Sequence, residues 1–250
     1  MDPGLVVART AEATAPVTDG LTVFAAGSLR PALATAAVGA DAWPGGPVAF
    51  HYANARDLAD AIERGERADV FASASATHPR RLQAAGLLSQ PLAFARNRLV
   101  IGVPPDAGSP IRSIDDLAAP GVRVVIEIAG VPLGDYTREA FRRLGRPGLV
   151  DRILANVVDE VQDVLALTQR LANGSADAGL VYRTDVLAAA GRLAAVELPP
   201  VARIEATYVA GVVRGSDRQD PARSWIRWLV GPAGQRTLAA AGFEPALDVA

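Results

Sequence analysis

No cysteine occurs among the 250 residues. Disulfides, thiolate catalysis and cysteine metal sites are therefore excluded, as is a lipid-modified cysteine at the start of the chain as it stands. Lysine is absent too, so every basic side chain is an arginine. With the excess of alanine, this reads as a genome-composition bias. The two histidines, His51 and His78, lie far apart without metal-ligand spacing and read as structural. Neither charge sign dominates: 25 basic against 27 acidic residues leave a formal charge of −2. That balance argues against nucleic acid and against an anionic membrane as partners. No apolar run approaches the ~20 residues of a membrane-spanning helix, so no membrane insertion is expected. Residues 1–20 lack the basic start and apolar centre of an export signal. Being small, polar and rich in Pro and Thr, they read as a flexible leader, with any export signal absent or trimmed. No G-x-S-x-G elbow, Walker loop or G-x-G-x-x-G occurs, so the usual hydrolase, nucleotide and dinucleotide signatures are missing.

What is present is a soluble globular composition, half apolar and about a fifth charged, in a repeated β-α pattern. Leu21–Ala25, Pro47–Tyr52 and Asp69–Ala72 read as strands. Helices follow them near Leu29–Val38, Arg56–Arg64 and Thr77–Ala85. Arg98–Val103 is a further strand, and Pro104-Pro105 with Gly108 breaks the chain after it. Ser113 to Leu117 opens a short capped helix. Val122–Ile128, Asn156–Val158, Ala178–Tyr182 and Ala206–Val213 read as strands. Asp135–Leu144, Glu160–Ala172, a segment starting at Thr184-Asp185, Asp220–Val230 and Pro232–Ala241 read as helices. Trp225 and Trp228, three apart on one helix, read as core. The pattern predicts α/β architecture with parallel sheets covered by helices. No linker separates the halves, so two lobes joined by strands are expected, crossing near Phe94–Arg98 and Ile204–Val209. The expected boundaries are 1–20 for the leader, 21–95 with 207–250 for the first lobe, and 96–206 for the second.

The stretch Leu21 to Leu29 runs from an apolar strand through a Gly-Ser turn into a helix start. Ser28 there can cap the helix, and free N–H groups at such a start can hold an anion. Val131-Pro132-Leu133-Gly134 and Asp163-Val164 are two further turns whose amides can face a cleft. Tyr182 ends a strand, where its hydroxyl can donate while its ring packs.

The segments Phe24-Ala25-Ala26-Gly27-Ser28-Leu29, Ala68-Asp69-Val70-Phe71-Ala72-Ser73-Ala74, Val131-Pro132-Leu133-Gly134-Asp135-Tyr136, Ala178-Gly179-Leu180-Val181-Tyr182 and Ala241-Gly242-Phe243 follow one another in this order. Together they resemble the periplasmic molybdate-binding proteins of ABC importers, over Leu21 to Pro245. The resemblance implies a two-lobed type II periplasmic-binding-protein fold, each lobe a mostly parallel sheet flanked by helices and closing over a tetrahedral oxyanion. It implies a non-enzymatic, periplasmic, monomeric protein without cofactor. The protein would carry molybdate or tungstate to the transmembrane subunits of an ABC permease.

By position, the resemblance assigns Ser28 as a hydroxyl and amide donor, Leu133 and Val164 as backbone amide donors, and Tyr182 as a phenolic donor. Gly27 is a further candidate. No residue is a direct metal-ion ligand; the metal arrives as its oxyanion. One position departs from the family pattern: where a serine is usual, this chain has Ala55, which has only its backbone N–H to offer. Asn54 beside it can replace the missing donor or cap a helix. Arg56 either brings a full positive charge to the site or, as favoured here, pairs with Asp57 or Asp60 on the surface. The departure leaves sulfate or another oxyanion as the alternative cargo. An effector-sensing domain of a regulator is the more distant alternative.

Overall fold

The strand β1 (Leu21–Ala26) is apolar along both faces and almost wholly buried, as a strand between parallel neighbours must be. Those neighbours are β2 (Val48–Ala53) and β3 (Val70–Ser73), both parallel to it. The computed structural model describes residues 20–36, 41–105 and 110–246. The leader expected over 1–20, except Gly20, lies outside them, as do Gly108 and the end of the first expected helix.

Two sheets share one strand. β4 (Leu92–Val103) runs through both, and its first half pairs antiparallel with β9 (Glu205–Val212), which in turn pairs with β3. Its second half, from Leu99 to Gly102, pairs antiparallel with β7 (Ala178–Tyr182). β7 lies parallel to β5 (Val124–Glu127), and β5 lies parallel to β6 (Val157–Val161). The strand order is thus β2-β1-β3-β9-β4-β7-β5-β6, with β8 (Ala194–Glu197) and β10 (Glu244–Pro245) also paired to β4. Each sheet keeps a parallel trio, and the strands that join the two lobes are antiparallel. The chain leaves the first sheet along β4 and re-enters it at β9, where Leu99 N–H donates to the Ile204 carbonyl at 3.2 Å.

The helices of the first sheet are α1 (Arg30–Thr35), α2 (Ala55–Glu63) and α3 (Thr77–Ala84). To them the end of the chain adds α8 (Gln219–Val230) and α9 (Pro232–Ala240). The second sheet carries α4 (Pro132–Arg143), α5 (Pro147–Ala155), α6 (Val164–Ala172) and α7 (Arg183–Ala188). Trp225 is fully buried and contacts Phe50 and Trp228, so this pair is core. His51 sets its ring edge-on to Phe24. His78 is buried at the start of α3, where desolvation lowers its pKa.

Three expectations need correction. The helix expected from Glu160 begins at Val164. Residues 157–161 are extended because they pair with β5, and Asp163 caps α6 by accepting the Ala166 N–H at 2.8 Å. Ser28 does not cap α1: a single 3-10 turn, Gly27–Leu29, intervenes, and α1 opens on Arg30-Pro31 with no side-chain cap. Finally, α5 and β8 carry too weak a periodicity to be read from sequence. β8 has alternating half-exposed residues and exists through its pairing with β4.

Candidate functional site

Parallel strands point their C-terminal ends the same way, and in this chain the ends of β1, β2, β5 and β7 meet at one cavity of about 280 Å³ between the sheets. Ser28, Ala55, Leu133, Val164 and Tyr182 all line it, together with Gly27 and Asn54. The turns separated by up to 154 positions in the sequence are therefore brought to one place.

Three helix N-termini converge on this cavity. Ala55 is the first residue of α2, Val164 the first of α6, and Leu133 follows Pro132 at the start of α4. First-turn amides have no partner inside their own helix, and the aligned peptide dipoles leave partial positive charge there. Pro132 costs nothing at its position, since a proline has no N–H to satisfy. Asn54 and Asp163 cap α2 and α6 through the third helical residue, Asp57 N–H at 2.9 Å and Ala166 N–H at 2.8 Å. Those caps leave the first amides of both helices uncommitted. The arrangement is a neutral anion seat.

The hydroxyls differ. The Tyr182 hydroxyl is buried and has no hydrogen-bond partner. Burial raises its pKa well above the usual phenol range, so it stays a donor. Ser28 is also buried, but its Oγ lies 2.8 Å from the Tyr208 hydroxyl, either atom being able to donate.

Gly134 explains how α4 can start where it does. A Cβ on it would lie 1.8 Å from the Ile128 carbonyl oxygen, so only glycine lets the helix start tuck under β5. That close approach sets the start of α4, and with it Leu133, at the cavity.

Asn54 is committed to its cap, with its Nδ2 2.8 Å from Asp57 and 3.4 Å from the Gln162 carbonyl. Arg56 is not among the residues lining the cavity. Its Nε lies 3.7 Å from Asp57, and its Nη1 donates to the Ala129 carbonyl across the mouth at 3.4 Å. Asp60, the other partner considered, pairs with Arg81. Tyr136 makes a similar crossing, its hydroxyl donating to the Ala74 carbonyl at 3.3 Å.

Sequence reading missed several residues that line the cavity, the cations Arg30 and Arg192 among them. Tyr52 has a buried hydroxyl without a partner, and the Arg30 guanidinium lies 4.5 Å from its ring centre. Glu127 and Asp185 are buried carboxyls. Asp185 accepts the Tyr182 N–H at 3.0 Å, and desolvation pushes its pKa up to about 7. A glutamate closing an otherwise apolar strand was the available signal for Glu127. Among the described residues no group of His, Cys, Asp and Glu could hold a metal ion, and no helix is long and apolar enough to cross a membrane.

Residues 21–244 match the model of a family described as bacterial extracellular solute-binding protein. The molybdate-binding protein ModA of Mycobacterium tuberculosis is 35% identical over 229 residues, covering 89% of this chain and 84% of that one. Among solved structures, the periplasmic molybdate-binding protein of Azotobacter vinelandii superposes with a TM-score of 0.79. Its identity is 22%, with 91% of this chain and 100% of that one covered. The sulfate-binding protein SubI of M. tuberculosis gives 0.74 at 19% identity, covering 91% and 87%. At those identities the two structural likenesses speak for the fold alone.

Proposed function

This chain belongs to the bacterial extracellular solute-binding protein family, and from that premise we propose that its cavity holds molybdate, and tungstate with it, for delivery to an ABC permease. Its family is one of transport proteins acting outside the cytoplasmic membrane, as substrate-binding components of importers. The observation that carries the choice of an oxyanion is the convergence of three helix N-termini and an unpartnered Tyr182 hydroxyl on one cavity. A dianion held by neutral donors keeps its charge spread over many hydrogen bonds, and no full positive charge from Arg56 is needed. We assign Ser28, Ala55, Leu133, Val164 and Tyr182 as its contacts, Ala55 through its amide alone. Molybdate rather than a smaller oxyanion is supported by the similarity to the mycobacterial ModA protein.

We read residues 21–95 with 207–250 as the first lobe and 96–206 as the second, with the protein acting as a monomer. The strand pairing supports this division, since the chain leaves the first sheet along β4, the strand both sheets share, and re-enters it at β9. A second reading keeps the mechanism and changes the cargo to sulfate. The loss of a serine hydroxyl at Ala55 favours it. Calorimetry on protein freed of bound anion, titrated with molybdate, tungstate, sulfate, phosphate and thiosulfate, separates the two. Tight binding of the two metal oxyanions alone is expected. No heat from either would overturn the proposal, and a preference for sulfate would replace it with the second reading.

A further inference from the structure

Glu127 has no role in the seat described above, and its surroundings are unusual for an anion-binding cavity. It is the last residue of β5, is only 4% exposed, and lines the cavity beside Leu133 and Tyr182. Its carboxyl accepts the Gly134 N–H. The charged groups that act most strongly on it are acidic: Asp185 from the start of α7, Asp163 from the cap of α6, and Asp135 from the first turn of α4; the guanidinium groups of Arg30 and Arg192 line the same cavity. The guanidinium nearest the end of β5, that of Arg138, is occupied elsewhere. Its Nη1 donates to the carbonyls of Glu127 and Gly134 at 2.8 and 3.1 Å, and its Nη2 to Glu160 at 2.7 Å. Among the described residues no guanidinium forms an ion pair with the Glu127 carboxyl, Arg30 and Arg192 included.

A lone buried carboxylate is costly, and such a group takes up a proton instead. Next to a dianion the cost would rise further, because like charges would share one dry cavity. A protonated carboxyl reverses that sign. With one oxygen engaged by the Gly134 amide, it still has an O–H to give. We propose that Glu127, as a neutral carboxylic acid, is a hydrogen-bond donor to the bound oxyanion, a contact made by this side chain in addition to the helix amides. The proposal rests on the reading of the cavity as an oxyanion seat. Burial, with Asp185 and Asp163 adding their charge, holds the Glu127 pKa well above the usual carboxylate range, in keeping with it.

The consequence is proton-linked affinity. The competent form is protonated, so binding weakens as pH rises through the carboxyl's ionisation, approaching about tenfold per pH unit beyond it. Tungstate has no titrating proton in the neutral and alkaline range and is the probe. Calorimetric titrations from about pH 6 to about pH 10 are expected to show a progressive loss of affinity for the parent protein. Glu127→Gln keeps a donor that does not titrate: its affinity at the acid end stays within about threefold of the parent, and its pH profile is flat. Glu127→Ala is expected to lose about tenfold or more at the acid end. A structural readout accompanies these. The unfolded chain ionises Glu127 near pH 4.3, before the folded one does, so stability is lost as pH rises above that value. Glu127→Gln therefore raises the thermal midpoint at neutral pH. Parent binding that is independent of pH overturns the proposal alone, as does a Glu127→Gln profile as steep as the parent's. A profile flattened by Asp185→Asn and not by Glu127→Gln overturns the assignment to Glu127. Absence of binding at every pH overturns the oxyanion reading itself, and the proposal with it.

Discussion

The two walls of the cavity are built differently. On the first-lobe wall, polar groups are largely spent on the protein itself: Ser28 shares its hydroxyl with Tyr208, Asn54 caps α2, and Arg56 reaches past the cavity to Ala129. The second-lobe wall holds its donors in waiting. The first amides of α4 and α6 have no partner inside their own helices, the Tyr182 hydroxyl has no hydrogen-bond partner, and Glu127 and Asp185 are buried carboxyls. The lesson is that the serine hydroxyl of the first wall is satisfied without a ligand, the Tyr52 hydroxyl there being left unpartnered, whereas the tyrosine hydroxyl of the second is satisfied only with one. Removing the serine hydroxyl of the first wall should therefore cost folding as well as binding, whereas removing the tyrosine hydroxyl of the second should cost binding alone.

The glycines give the largest contrast. Gly134→Ala would drive a Cβ to 1.8 Å from the Ile128 carbonyl oxygen, whereas a Cβ at Gly27 meets nothing nearer than 3.9 Å. The α4 start must then shift and carry the Leu133 amide with it. Overpacking against backbone of this kind costs about 3 kcal/mol or more. Gly134→Ala is expected to lose that much stability and all measurable anion binding, while Gly27→Ala changes stability by about 0.5 kcal/mol or less. Chemical denaturation reads both. Equal stability losses in the two variants would show that the close approach at Gly134 does not position the start of α4.

How much of this was legible in the sequence depended on the kind of physics involved. Strands such as Leu21–Ala26 and Ala178–Tyr182 declare themselves because they are buried on both faces and so read as unbroken apolar runs. The turn at Val131 was identifiable from its proline and glycine, whose chemistry is local. The start of α6 was misplaced because Val157–Val161 is made a strand by pairing with β5, a partner about thirty residues away. The same limit hid the Ser28–Tyr208 hydrogen bond, which spans 180 positions. Tyr52 was passed over because nothing local distinguishes a tyrosine that faces a cavity from one that faces water, and Glu127 because its one local signal, a glutamate closing an apolar strand, fits a solvent-facing strand end equally well. The family resemblance could place Ser28 and Tyr182 in one site, but it could not tell that one hydroxyl is engaged and the other is not.

That difference is tested by a pair of truncations. Tyr182→Phe removes a buried hydroxyl with no protein partner. It is expected to weaken oxyanion binding by about 1–3 kcal/mol and to leave stability unchanged or slightly higher. Ser28→Ala takes one hydrogen-bond partner from the buried Tyr208 hydroxyl, leaving it Asn97, so it is expected to cost about 1 kcal/mol of stability and about 1 kcal/mol of binding. Calorimetry and thermal unfolding on both variants give the two quantities. A Tyr182→Phe protein that binds as tightly as the parent would remove the waiting donor from the second wall.

The smallest expected effect comes from restoring what the first wall lacks. Ala55 is buried at the first position of α2, and its amide faces the cavity while its methyl has no hydrogen bond to give. Ala55→Ser adds a hydroxyl whose first choices are the anion and the nearby backbone carbonyls. With the anion bound it gains one charge-assisted hydrogen bond, and without it the hydroxyl must be satisfied locally or by water. The two terms oppose each other, so the expected gain in affinity is about 1 kcal/mol or less, with a stability change of similar size in the unfavourable direction. If instead affinity rose by tens of fold, the first wall would be limited by a missing donor rather than completed by its own contacts. Ala55 would then be the residue that sets how tightly this protein holds its cargo.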